Sequence, residues 1–563
     1  MSTGVRLEWR EAARPQAPRR ARRGRLPVLL TLLMVRAAIG YRLALLVADA
    51  PPTNSDEATM GLAALHIARG HEFPVWFYGQ AYMGTLEAYL AAPLVALTGP
   101  SVLALRLPTL ALYALFLLLA WRLTRRLGGD RWFALLVVGF LALGSDRIVK
   151  NQLIAGGGYP ELNPAGVGLA LLTLDLCAGR PGARLPRWAA WGLISGLMLW
   201  VDPLLLPYIG GTGAVLLAWR RRELAGRAGL VAVAAALLGA APMWLDSLRH
   251  GRNPIAAVLA AGGGDAAAGW GERQHGGLLL GPPLGMGFCS PGHCATWQLW
   301  WALAFPVLLL LAGLSAWRAL RTSAPAATSA PPQAPSAVAW SPSAPASPAA
   351  GAVGSAGGPD ARRATAGVRL ALVVGAVTVF GAYVLSSAAG RTPMESARYL
   401  SGLAIAAPAL LWPLRAATRD GRRAARITAI AVLVALLGTA AVATAGAVGA
   451  VPATHAEADR HRALVDTLDE LGVRHTRAGY WTCNRLTFAS GEDVVCAVVD
   501  DELRPGFDRY PAYRRAVDAD DRAAWVAPVG SPLAARLDQR LGPDPGELAV
   551  VAVEGWRIYL PRR

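Results

Sequence analysis

Lysine is nearly absent from this 563-residue chain, Lys150 being the only one, and charged residues of every kind make up just 16%. Soluble domains carry about a quarter. With 54% hydrophobic residues beside so little charge, an ordinary soluble enzyme is excluded, and the apolar surplus must face lipid. No HExxH, P-loop or CxxC pattern occurs, so the usual sequence signs of a metalloprotease, a nucleotide cradle or a thiol redox site are missing. The net charge of +18 comes almost wholly from arginine in short clusters between apolar stretches. A nucleic-acid binder concentrates charge on one soluble face, whereas interspersed clusters set membrane topology.

Arg19, Arg20, Arg22, Arg23 and Arg25 precede an apolar run ending in Ala48-Asp49-Ala50, which resembles a signal-peptidase site. Pro51 argues against cleavage, and the run is long and interrupted by Arg36 and Arg42, so it reads as a retained signal anchor. Both arginines are costly in lipid and should face the protein interior or snorkel outward. At about 20 apolar residues per crossing, roughly eleven spans are expected. They lie near 27–49, 101–120, 132–145, 162–178, 188–201, 203–219, 229–247, 298–316, 369–388, 399–414 and 427–449. Arg122/Arg125/Arg126, Arg180/Arg184/Arg187, Arg220–Arg222, Arg318/Arg321 with Arg362/Arg363, and Arg415/Arg422/Arg423 share a side with the basic N-terminus. That side is the cytoplasm, and the tail from residue 451 is extracytoplasmic.

The expected fold is therefore mainly α. It comprises a basic cytoplasmic segment (1–26), a transmembrane domain (27–450) and a small extracytoplasmic α/β domain (451–563). Within it, 322–361 is mostly Ala, Pro, Ser and Gly and reads as a disordered cytoplasmic linker. Outside lie a first loop of about 50 residues, a short Asp146–Glu161 loop and a Gly-rich loop over 248–297. In the tail, Leu464, Leu468 and Leu471 share a helical face that Gly472 is placed to end. Strand-like segments near 478–488 and 494–499 flank a Ser490–Asp493 turn. An antiparallel hairpin there sets Cys483 opposite Cys496. Cys289 pairs with Cys294, and Cys177 stays free at the inner end of a span. A metal held by His293 with Cys289 and Cys294 is the alternative to that second bridge.

The first outer loop carries the most chemistry. Asn54-Ser55-Asp56-Glu57 follows the first span, and aromatic-rich segments too polar to span come next, among them Tyr78, Gln80 and Tyr82, then Glu87. Such segments read as interfacial helices roofing a membrane-level cavity, in which a carboxylate can deprotonate a hydroxyl. The competing reading is that Asp56 or Ser55 caps the following helix. Beyond the Gly156–Gly158 stretch, Glu161 is placed to bind sugar hydroxyls or to sit at a helix start, and Asp202-Pro203 reads as a helix stop.

Asn54–Gly61, Phe77-Tyr78-Gly79-Gln80, Leu105-Arg106-Leu107-Pro108 and Ala397-Arg398-Tyr399-Leu400 resemble the GT-C glycosyltransferases. The nearest likeness is to the branch with protein O-mannosyltransferases and lipid A aminoarabinose transferases. It covers roughly 27–450 in layout. The resemblance implies an inverting transfer of sugar from a polyprenyl-phosphate carrier to an extracytoplasmic glycan, lipid or protein acceptor. Asp56 takes the acidic catalytic position, with Glu57 able to share it. A departing phosphate demands cations. Arg147 and Lys150, then Arg398 with Tyr399, are the candidates, and Arg391 stands nearby. Tyr78, Gln80, Tyr82, Glu87 and Glu161 are candidate substrate contacts. No cofactor is expected, with a divalent metal left open, and the partners are the lipid-linked donor and membrane lipids, not nucleic acid. A transporter or flippase of lipid-linked sugars is the rival class, but it calls for repeated sets of spans, and none is visible.

Overall fold

The computed structural model describes residues 19–179, 182–263, 267–290, 292, 294–322, 359–541 and 548–561. The arginine-rich start through residue 18, the linker over 323–358 and the proposed ligand His293 lie outside the described residues. At the linker's far edge, residues 359–361 already belong to the helix Pro359–Leu385.

Helices α1 (Arg19–Val47), α2 (Ser55–Ala68), α3 (Leu86–Thr98), α4 (Val102–Arg126), α5 (Arg131–Ala142), α6 (Asp146–Leu153), α7 (Tyr159–Cys177), α8 (Arg184–Val201), α9 (Leu206–Leu224), α10 (Arg227–Gly239) and α11 (Ala241–His250) open the chain. Among the described residues six helices are long and apolar enough to cross a membrane, and the bent pairs α5–α6 and α10–α11 bring the number to eight. The expected count of about eleven also took in α7, α8 and α9, which do not meet that test. Leu29, Leu33, Leu118, Leu230, Leu237, Leu303, Leu310 and Ile427 stand exposed along these helices. So many exposed apolar side chains on helices long enough to span fit a lipid environment. The chain is a multi-pass membrane protein.

Two local readings change, and a third gains its partners. The short Asp146–Glu161 loop is the amphipathic helix α6 followed by the start of α7, with a 92° bend separating α6 from α5. The late span near 399–414 starts as a 3-10 helix, Ala397–Ala406. Of the two arginines inside α1, Arg36 is exposed and Arg42 fully buried. The Arg42 guanidinium donates to Gln152 Oε1 at 2.7 and 3.0 Å and to the Ala142 carbonyl, and it lies 3.8 Å over the Tyr113 ring. A charge that would be costly in lipid thus ties α1 to α6.

Helices α8 and α10 approach backbone to backbone at two glycines of α8. A Cβ at Gly192 or Gly196 would stand 2.0 or 1.9 Å from the carbonyls of Ala232 or Ala236. Small residues permit this approach, which matters where lipid offers no hydrophobic drive to association.

The tail forms a five-stranded sheet from β1 (His475–Ala478), β2 (Val495–Val498), β3 (Ala524–Pro528), β4 (Leu548–Val553) and β5 (Trp556–Pro561), in the order β2-β1-β3-β5-β4. Strands β2 and β3 run parallel to β1, and β5 runs antiparallel to β3 and β4. The helix Val451–Glu470 follows Gly449 almost without interruption, buries Leu464 and Leu468, and ends before Gly472 at φ +65°. Leu471, expected on the same face, is exposed.

The expected hairpin is a correction. Residues 480–489 form a helix, Tyr480–Ala489, that crosses from β1 to the parallel strand β2, because a parallel pair needs a crossover rather than a tight turn. Cys483 on that helix still meets Cys496 on β2, with Cα atoms 5.2 Å apart, and Cys289 meets Cys294 at 4.9 Å. Both bridges exist and Cys177 is free and buried. The pairing of Cys483 with Cys496 was right, and the hairpin reasoning behind it was not.

Candidate functional site

The N-terminus of α2 decides between the two roles open to its acidic pair. Asn54, not Asp56 or Ser55, is the cap: its Oδ1 accepts from the Glu57 N–H at 2.8 Å. Ser55 Oγ instead donates to the Tyr480 carbonyl at 2.7 Å and accepts from Asn484 at 3.0 Å. Both side chains are thereby freed from the capping task.

Glu57 leaves the list of candidate bases. Its two oxygens accept from Arg106 Nε and Nη2 at 2.6 Å each, Thr53 donates to it at 2.7 Å, and both charged side chains are buried. A carboxylate engaged bidentately in a dry pair has no free lone pair directed at a substrate. Arg106 belongs to the Leu105–Pro108 motif, but its partner could not be read from the chain.

Asp56, 24% exposed, turns the other way. Its Oδ1 accepts from the Tyr480 hydroxyl at 2.6 Å and from Arg509 Nη2 at 3.1 Å, and Arg509 Nε also donates to Tyr480 Oη at 2.7 Å. Burial first and the Asp56 charge second push the Tyr480 hydroxyl up, so it stays protonated and donates. Arg509 further lies 4.8 Å over the Phe77 ring. Asp56 Oδ2 has no hydrogen-bond partner among the described residues. The first loop and the tail domain therefore build this corner together.

The glycine-rich stretch runs past the same turn. At Gly156, φ is +140° and a Cβ would stand 3.4 Å from the Asp56 carbonyl, so a side chain here meets both strain and crowding. The Gly156 N–H donates to Glu87 Oε2 at 2.8 Å. Glu87 and Glu161 are buried neighbours, each with carboxyl oxygen that lacks a geometrically sound protein partner. Asp202 stands directly after α8, as a helix stop would, and its carboxylate accepts from the Leu204 N–H at 2.8 Å to cap the short 3-10 helix Pro203–Leu205.

The candidate phosphate contacts Arg147, Lys150 and Arg398 lie within electrostatic range of one another. Arg398, on the 3-10 helix, is within electrostatic range of Asp56, Tyr159 and Tyr399, and its Nε is buried without a partner. Lys150, on α6, is within range of Arg147, Glu57, Arg106 and Arg398. Arg147 donates to the Met394 carbonyl. Tyr82 is within range of Tyr399, Arg398, Arg509 and Asp202.

Tyr78 belongs elsewhere. Its hydroxyl is bound to His66 Nδ1 at 2.6 Å and Glu72 at 3.1 Å, in a cluster with Tyr510 that locks α2 to the tail. Gln80 sits on the turn after Phe77, its Oε1 buried and unpartnered. Tyr159, Arg106, Tyr480 and Arg509 were missed by sequence reasoning. For the last two, no signal in the chain couples the tail to a loop more than 400 residues earlier. Among the described residues there is no group of three or more His, Cys, Asp or Glu placed to hold a metal ion.

Neither a protein-family model nor a curated protein sequence matches the chain. Solved structures do. ArnT from Cupriavidus metallidurans in the apo state superposes with a TM-score of 0.50 at 15% identity, covering 94% of this chain and 97% of that one. The Archaeoglobus fulgidus oligosaccharyltransferase in the apo form gives 0.42 at 12%, over 88% and 69%. AglB from the same organism, in complex with an inhibitory peptide and a dolichol-phosphate, gives 0.39 at 12%, over 95% and 74%. The likeness to ArnT extends over nearly the whole of both chains and shows a shared fold.

Proposed function

We propose that this protein transfers a sugar from a polyprenyl-phosphate carrier to an acceptor hydroxyl at the extracytoplasmic face, with inversion, and that Asp56 is the general base. The N-terminus is then cytoplasmic and the tail domain outside, which is where the arginine clusters put them. The reading rests on one observation above the rest: Asp56 presents one oxygen to Tyr480 and Arg509 and leaves the other uncommitted, within electrostatic range of Arg398. The fold shared with ArnT and the motifs of the first loop support it.

In the proposed step, Asp56 Oδ2 takes the acceptor's hydroxyl proton as that oxygen bonds to the anomeric carbon. The bond from that carbon to the phosphate oxygen breaks, and its electron pair leaves on the phosphate. Arg398 and Lys150, with Arg147 behind, stabilise that developing charge, which is stronger there than at the start of the reaction. Tyr480 and Arg509 hold the carboxylate in place. Glu87, Glu161 and Tyr82 are left to meet sugar hydroxyls.

Asp56→Asn tests the assignment. Because Asn54 supplies the cap, folded yield should stay near wild type, while release of polyprenyl phosphate falls about a hundredfold or more if Asp56 contributes as typical acid–base groups do. Near-normal transfer by Asp56→Asn, with loss in Glu161→Gln or Glu87→Gln, would move the base to that buried pair. Lipid movement without bond cleavage would instead make the protein a flippase.

A further inference from the structure

A cavity of about 430 Å³ opens on the side of α2 away from the Asp56 corner, between the outer ends of α1 and α4 and the tail domain. That is within the range of small-ligand sites, about 300–1,000 Å³. Its membrane-side wall includes Val47 and Leu103, 69% and 41% exposed, each at the end of a helix apolar enough to span. Its far wall comes from the tail and includes His461, Arg462 and Arg485.

The charges here are already compensated. Arg485 pairs with Glu457 at 2.8 Å and Arg462 with Asp49 at 3.3 Å, all four lining the cavity. His461 is only 6% exposed, and its Nε2 is buried with no partner, as is Arg485 Nε. Burial first, then the Arg485 charge, push the His461 imidazole down to about 3, so it stays neutral. Two buried polar atoms are thus left without partners, a cost that a ligand can relieve. An anion finds no net positive charge here, whereas hydroxyl groups can both donate and accept.

We propose that this cavity binds a membrane amphiphile with an uncharged, hydroxyl-bearing headgroup, the hydroxyls on His461 and Arg485 and the hydrocarbon leaving over Val47 and Leu103 into the bilayer. The site is distinct from the Asp56 corner and does not depend on the transferase reading. The lipid wedges between membrane domain and tail and so couples the seating of the tail to the surrounding bilayer.

The full chain in nanodiscs, supplied with monoglucosyl diacylglycerol carrying a diazirine in its acyl chain, should be labelled in peptides containing Val47, Leu103 or Phe488. Unlabelled monoglucosyl diacylglycerol should compete at least tenfold better than phosphatidylglycerol. His461→Gln should keep labelling, while His461→Leu and the cavity-filling Ala458→Trp should reduce it about tenfold. Labelling confined to other helices in wild type, or stronger competition by phosphatidylglycerol, overturns the proposal. Because the wild-type map is decisive alone, a variant that fails to fold does not protect it.

Discussion

On its inner side, α2 meets the membrane domain through a fully buried ion pair, Glu57 with Arg106, beside an apolar cluster that includes Met60, Leu65 and Leu105. On its outer side it meets the tail through many partly exposed polar contacts: Asp56 with Tyr480 and Arg509, His66 and Arg69 with Glu492, and Glu72 with Tyr510. Two adjacent acidic residues thus live in opposite worlds. In the dry pocket a carboxylate survives only by full pairing, which removes it from chemistry. At the wet face partial pairing suffices, and the spare oxygen stays free to act. The α2 helix, expected to lie as an amphipathic segment on the membrane surface, is buried along most of its length because the tail covers its second face.

The largest effect should come from breaking the inner side. Arg106→Leu leaves the Glu57 carboxylate buried and alone, at about 3–5 kcal/mol. Folded yield and melting temperature should collapse, and a paired Glu57→Leu change should recover most of the loss. If Arg106→Leu melts normally, the contrast between the two faces fails.

Gly61→Val probes the packing between α2 and the tail. A Cβ there would stand 2.5 Å from the Phe488 ring, so the ring must shift, at about 1–3 kcal/mol. Hydrogen exchange should accelerate across Tyr480–Ala489 while the transmembrane helices stay protected. Uniform acceleration would mean that tail and membrane domain open as one unit.

Smallest should be the effect of loosening a single outer contact. Burial tends to raise the Glu492 carboxyl, but hydrogen bonds from His66 and Tyr513 and the charges of His66 and Arg69 outweigh it, so it is held below its ordinary 4.5. A carboxylate depressed on folding contributes stability above its unfolded value and loses it as the pH falls through the folded one. Exchange in the Tyr480–Ala489 helix should therefore be steady above about pH 5 and rise on acidification below 4.5. Glu492→Gln should raise exchange at neutral pH, by about 1 kcal/mol of local opening, and flatten the acid dependence. An unchanged acid limb in that variant would assign the dependence to another carboxylate.

By itself the sequence determined that the chain crosses a membrane repeatedly and that a small α/β unit follows the last crossing. Hydropathy, composition and spacing are properties of a stretch of chain, and lipid or water reads them stretch by stretch. Even there the limits were local: Tyr480–Ala489 has strand-like composition, but the parallel pairing of β1 with β2 requires a crossover, and the crossover made it a helix. Only the tertiary structure decided which partner each acidic residue of Asn54–Glu57 meets. Tyr480 and Arg509 reach Asp56 from 424 and 453 residues away, and Arg106 reaches Glu57 from 49. A side chain's charge is written in its residue type, but whether that charge is spent on a partner or left for a substrate depends on what the folded chain brings against it.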